Sequence, residues 1–207
     1  WPSRYGLRAS IDRVQRLAVR VIGPGCCGAC LCPRLGEMRR SNVVLTGFMA
    51  TGKSTVGRML AEALGYDWVD TDAEIEAEHG PIVEIFMANG EEAFRQMESD
   101  LASELANQEG LVISTGGGMM LDPATAASLG RSGRVFCLTA EPDEILHRVQ
   151  RQAGPPRPLL SGDSPAARIA ELLAERAEAY SVFEQVATDG RTFDEIVADL
   201  VTRLSSG

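Results

Sequence analysis

The sequence is almost without lysine: of its twenty basic residues, nineteen are arginine and only Lys53 is lysine. That absence excludes a guanine-reading GTPase, because Lys53 stands in Thr-Gly-Lys-Ser and no second lysine is left to build an Asn-Lys-x-Asp strand end. Long apolar runs are missing as well. The longest are strand-sized pieces such as "VFCL" and "NVVLTG", far short of the roughly 18 residues a membrane span requires, so a soluble protein with no membrane partner is expected. Basic charge is scarce from residue 41 onward, where twelve basic groups face 27 acidic ones. Binding a phosphate backbone needs a basic face, so nucleic acid is excluded, and any small anion must be held by a few placed arginines or backbone amides. Cysteine is nearly absent from the same stretch. Cys137 stands alone there inside an apolar run, which rules out a disulfide framework and points to the cytoplasm, with Cys137 as a buried small hydrophobe.

Residues 1–40 differ in kind, with eight arginines against Asp12 and Glu37 and four cysteines in "CCGACLC" (Cys26, Cys27, Cys30, Cys32). The first reading is a disordered extension lying upstream of the folded protein, with Met38 as the natural start. The second is a targeting segment, since "SIDRVQRLAVRVI" has the pattern of a basic amphipathic helix. The third is a metal site, although CC-x-x-C-x-C lacks the paired CxxC spacing of a zinc module.

From Asn42 short apolar runs alternate with helical patterns. "NVVLTG", "YDWVD", "GLVIST", "RVFCLT" and, more weakly, "VFEQVA" read as strands, and "KSTVGRMLAEAL" as a helix stopped by Gly65. Further helices are expected at about 73–79, 82–89 and 91–108. This alternation predicts an α/β fold, a five-stranded parallel sheet with helices on both faces making three layers. One folded domain, 41–207, is expected. Its stretch 152–165 holds too many prolines and glycines for a helix, so it reads as an exposed loop of the kind that serves as a lid.

"GFMATGKS" fits GxxxxGK[ST] between a buried strand and a helix, the setting in which backbone N–H groups and a helix N-terminus cradle phosphates. Gly47, Ala50, Thr51, Gly52, Lys53, Ser54 and Thr55 are therefore the expected ATP-binding residues. An ammonium on a flexible stem can reach between β- and γ-phosphates where a planar guanidinium is too broad, which accounts for the lone lysine. Ser54 offers a hydroxyl to Mg²⁺. The third strand ends on Ser114 and Thr115 rather than on a metal-directed Asp, so the acidic partner is sought in "VDTD". If that segment is extended, Asp70 and Asp72 point the same way, Asp70 towards the metal and Asp72 towards an acceptor hydroxyl. Alternatively, Asp72 is simply the N-cap of the next helix.

With "GFMATGKSTVGRMLAEALGYDWVDTDAEIE", "IVEIFMANGEEAFRQMES", "STGGG", "RPLL" and "LLAERAEAY" in this order, nearly all of 41–207 resembles shikimate kinase. The resemblance implies a P-loop kinase fold like that of the nucleoside monophosphate kinases. It also implies phosphorylation of the 3-hydroxyl of shikimate by ATP with Mg²⁺, by a monomer. It places Asp72 on the ring hydroxyls, Arg95 and Arg176 on the carboxylate, and Gly116, Gly117 and Gly118 along the acceptor. Phe86 and Phe94 would wall the ring, Glu98 would orient Arg95, Arg157 would be the lid arginine that reaches the moving phosphoryl group, and Arg151 would lie on the nucleotide side. Lys53, Asp72 and Arg157 are thus the expected catalytic set. Met49 and Ala50 stand where the family often has Gly or Pro, positions expected to carry no glycine requirement. Two other readings remain: a small-polyol kinase of the gluconate type, and a catalytically silent P-loop binding module.

Overall fold

In chain order the elements are β1 (Asn42–Gly47), α1 (Lys53–Leu64), β2 (Asp67–Asp70), α2 (Thr71–His79), α3 (Ile82–Leu105), β3 (Leu111–Ser114), α4 (Pro123–Ser132), β4 (Gly133–Thr139), α5 (Pro142–Arg151), α6 (Pro165–Ser181), β5 (Glu184–Ala187) and α7 (Phe193–Ser205). They belong to a computed structural model that describes residues 41–151 and 164–206. The strands form one parallel sheet in the order β2-β3-β1-β4-β5.

Successive residues of β1 serve opposite faces. Val43 and Leu45 pack with Val56 and Leu60 of α1 and with Ile196 and Leu200 of α7. Val44 packs the other way, with Ala102 and Leu105 of α3 and Leu129 of α4. A strand covered on both sides must read as a continuous apolar run, and β1 is buried along its whole length, so the three layers expected from the sequence are present. Truncating one of these side chains to Ala would cost on the order of 2–5 kcal/mol. A third cluster, Phe48 with Ile145, Ile169 and Leu172, seats α5 and α6 beside the loop after β1.

One boundary differs from expectation: α2 begins at Thr71 rather than 73, because Asp70 caps it by accepting from the Ala73 N–H at 3.4 Å. The two helices expected on either side of residue 90 are present as the two halves of α3, separated by the non-helical Gly90 (φ 81°, ψ 175°). The sheet also aligns the chemistry. Asp70 stands beside Ser114 and Gly47 beside Leu138, all at the carboxyl ends of strands, where open α/β sheets bind ligands. Among the described residues no helix is long and apolar enough to cross a membrane. The expectations for residues 1–40, and for the lid apart from Ser164 and Pro165, lie outside the described residues.

Candidate active site

Backbone torsions that most side chains refuse shape the turn between β1 and α1. Gly47 has φ 131° and Gly52 φ 95°, and a β-carbon on Gly47 would land on the Leu138 carbonyl. Ala50 shares the left-handed region at φ 59°, the only non-glycine residue among those described to do so. This corrects the expectation that its position carries no glycine requirement, since alanine pays about 1–2 kcal/mol there. Thr51 is buried and donates its hydroxyl to the Phe48 carbonyl at 2.8 Å, so it braces the turn from within. Lys53 Nζ donates to the carbonyls of Gly47 and Phe48 at 2.9 Å each, which places the ammonium inside the curl. α1 then starts without a side-chain cap, leaving first-turn N–H groups for an anion.

Asp70 and Asp72 line the same cleft as Ala50, Gly52, Lys53, Ser54 and Thr55, but not by the alternation of an extended strand. Asp70 ends β2, while Asp72 lies in the first turn of α2. The capping role considered for Asp72 belongs to Asp70, whose other carboxylate oxygen accepts from the Ser54 hydroxyl at 2.6 Å. Burial pushes the Asp72 carboxyl above its ordinary value, Asp70 adds to the rise, and Lys53 and Arg95 pull against it. A carboxylate so placed is a stronger proton acceptor than an exposed one.

Beyond β3, three consecutive glycines each lie against a charged side chain. A β-carbon on Gly116 would land on Asp72 Oδ1 and stand 3.1 Å from Glu98 Oε1. One on Gly117 would stand 3.6 Å from Arg176 Nη1, and one on Gly118 2.6 Å from Arg95 Nη1. Asp72, Arg95 and Arg176, distant in sequence, thus meet along one strip of backbone. The strip is anchored by the Gly116 N–H, which donates to Thr71 Oγ1 at 2.8 Å.

Arg95 donates to Glu98 at 2.5 Å and to Glu91 at 3.0 Å. The Glu98 side chain is only 3% exposed, and burial pushes its carboxyl up although Arg95 pulls it down. Burial works against the Arg95 charge too, and Glu98 and Glu91 more than restore it. The two aromatic residues divide their work. Phe94, 5% exposed, packs with Ile75 and Ile85 under the Arg95 guanidinium, while Phe86, 36% exposed, offers surface beside it with ring centroids 4.8 Å apart. Arg176 donates to the Gly117 carbonyl at 3.1 Å and lies over the Phe48 ring.

Sequence reasoning gave no role to three residues that hold this site together. Thr71 anchors the glycine strip, Tyr180 donates to the Gly117 carbonyl at 2.6 Å, and Arg148 joins Thr188 (2.9 and 3.0 Å) to the Ala50 carbonyl (3.4 Å). Only Tyr180 left a trace, one helical turn after Arg176 in "AERAEAY". Arg151 sits at the exposed end of α5. Arg157 lies outside the described residues.

A phosphate-binding turn beside a shelf of acceptor-directed charges, both at the carboxyl edge of a parallel sheet, is the arrangement of a P-loop kinase of small molecules. The family described as shikimate kinase matches residues 49–205. The shikimate kinase of Symbiobacterium thermophilum is 40% identical over 166 residues, covering 79% of this chain and 95% of its own. That of Thermus thermophilus is 44% identical over 164 residues, covering 78% and 89%. A solved structure of shikimate kinase from Acinetobacter baumannii in complex with shikimate superposes with a TM-score of 0.75 at 32% identity, covering 81% of this chain and 94% of that one. The chain belongs to the shikimate kinase family, and is by that membership a phosphotransferase.

Proposed function

We propose that the chain transfers the γ-phosphoryl group of ATP to the 3-hydroxyl of shikimate, giving ADP and shikimate 3-phosphate for chorismate and aromatic amino acid biosynthesis. The observation that carries this reading is the convergence of Asp72, Arg95 and Arg176 on Gly116, Gly117 and Gly118, beside the cleft that holds Lys53. A carboxylated, hydroxylated ring needs both kinds of partner at once. Two guanidiniums supply forked donors for the carboxylate, and Asp72 accepts from a hydroxyl.

The N–H groups of residues 47–55 cradle the phosphates, and Lys53 turns from its two carbonyls towards the β- and γ-oxygens as they arrive. Ser54 and Asp70 offer only oxygen, which suits a hard cation. Ser54 and Asp70 are the residues that would hold Mg²⁺, with the nucleotide's phosphates supplying further oxygen ligands. Such an ion supplies charge neutralisation on the β- and γ-phosphates. Asp72 orients the acceptor hydroxyl and takes its proton, aided by the burial that raises its affinity for one. Glu98 fixes Arg95, Phe86 with Phe94 behind it flanks the ring, Arg151 lies on the nucleotide side, and Arg157 has the lid arginine's role in the family. These groups all lie on one chain, which supports a monomer as the unit of activity. The cytoplasm is the place this reading gives it, in keeping with a single, buried cysteine, Cys137, from residue 41 onward.

A coupled ADP-release assay with shikimate, with gluconate and with neither tests the reading, and NMR of the product fixes the phosphorylated position. Turnover with shikimate alone, at position 3, is the expected result. Equal turnover with gluconate would make it a small-polyol kinase, and no turnover with either would make it a silent binding module.

A further inference from the structure

We infer that Tyr180 is a positioning residue for the acceptor's carboxylate, acting through the Gly117 carbonyl on Arg176; this rests on the reading of Arg176 given above. The Gly117 carbonyl accepts twice, from Tyr180 Oη at 2.6 Å and from Arg176 Nη1 at 3.1 Å. Both donors stand on α6 four residues apart, hence on one face of the helix. Both are buried, Tyr180 to 7% exposure. A carbonyl oxygen has two lone pairs, and here each is assigned.

The division of labour follows from what each donor has left. Tyr180 has a single O–H, which it spends on Gly117; burial pushes the phenol up to about 12 although the Arg176 guanidinium beside it pulls it down. A guanidinium has five N–H groups in a rigid fork. With Nη1 committed to Gly117, the direction of its remaining donors is set by where that carbonyl points. Gly117 is the middle of three glycines, the residues whose backbone is least restrained by side chains, so the peptide needs an outside anchor. Tyr180 is placed to be that anchor, because its own backbone is pinned: its carbonyl accepts from Gln185 Nε2 at 2.7 Å and from the Phe183 N–H at 3.2 Å. The other side of the Arg176 guanidinium rests on Phe48, which fixes its plane but not its rotation within that plane.

The test is steady-state kinetics of the full chain with shikimate and ATP varied separately, for the parent, Tyr180→Phe, Arg176→Ala and the double variant, with thermal melts alongside. Tyr180→Phe should raise KM for shikimate roughly 3- to 10-fold, the scale of one hydrogen bond, with kcat and KM for ATP near the parent values. In the Arg176→Ala background the same change should add nothing, since the group it positions is gone. A merely structural tyrosine would lower the melting temperature and leave the two KM values unsplit, and that outcome overturns the inference while leaving Arg176 in place. Additive effects of the two replacements on KM would overturn it equally. If Arg176→Ala itself spared KM for shikimate, the acceptor-site reading and this inference would fall together, a pattern distinct from failure of Tyr180 alone.

Discussion

Ser54 donates its hydroxyl to Asp70 at 2.6 Å, joining the first turn of α1 to the end of β2. Two oxygens so close are either partners of each other or joint partners of a cation. Asp70→Asn keeps the shape, and Asn still caps α2, but it removes the charge. The Mg²⁺ concentration giving half-maximal activity should rise roughly 10- to 100-fold, the scale of losing a metal-supporting group, while KM for shikimate holds. An unchanged Mg²⁺ requirement would take Asp70 out of the metal site.

Lys53→Arg keeps the charge and changes only its shape. The ammonium donates to two carbonyls at 2.9 Å each, a compact point charge on a flexible stem where a guanidinium is a broad planar fork. The rate of phosphoryl transfer should fall about 10²- to 10³-fold, as for loss of one transition-state donor worth about 3–4 kcal/mol, with circular dichroism unchanged. Single-turnover rates near normal would show that charge alone suffices.

The two acceptor arginines should fail differently when cut to Ala. Both replacements should raise KM for shikimate and spare KM for ATP, because each removes a contact made in ground and transition states alike. Arg95→Ala also strands Glu98, a carboxylate buried to 3% exposure, so it should lose stability on the order of 1–3 kcal/mol. Adding Glu98→Gln should recover part of that. Equal melting of the Arg95→Ala and Arg176→Ala variants would mean that Glu98 finds another partner.

Asp72 links activity to stability with a definite sign. Its carboxyl holds a proton more tightly in the fold than at its unfolded value of 3.8. Stability contributed by the protonated form is therefore lost as pH rises from that value through the raised one, and the deficit persists above it. Asp72→Asn should melt higher than the parent near pH 7, and the difference should shrink towards about pH 3. Turnover should meanwhile fall roughly 10²-fold or more, as for loss of a positioned proton acceptor. A lower melting temperature at neutral pH would mean that Lys53 and Arg95 outweigh burial.

Ala50 invites a substitution in the opposite direction. Ala50→Gly relieves a left-handed alanine at φ 59° but frees the unfolded chain, so the net gain should be modest, about 0.5–1 kcal/mol by denaturant titration. A loss of stability would show that the added freedom of the unfolded chain outweighs the relief of the torsion.

The layers were readable in the sequence because β1 is buried on both faces and so carries no polar position from Val43 to Leu45. The phosphate turn was readable because its glycines and lysine are adjacent in the chain. Convergence on Gly116–Gly118 was not readable from spacing: Asp72, Arg95 and Arg176 lie on three different helices, and only resemblance to a family brought them together. The torsion at Ala50 left no mark either, since alanine is the residue least expected to advertise strain. Asp70 and Asp72 were assigned to the right cleft by a wrong route, because an extended "VDTD" and a helix starting at Thr71 both turn the two carboxylates outward from the sheet edge.

The break at Gly90 gives α3 two halves with different footing. The later half is bolted to the sheet through Ala102 and Leu105 and carries Arg95 and Glu98. The earlier half carries Phe86 among exposed Val83 and Met87, and rests on the later half through Ile85 and Phe86 against Phe94. Under the function proposed above, the charges that would meet the carboxylate stand on the sheet-backed half and the exposed apolar wall on the other, so the contour facing a ring could change at Phe86 while the Arg95–Glu98 ion pair keeps its place.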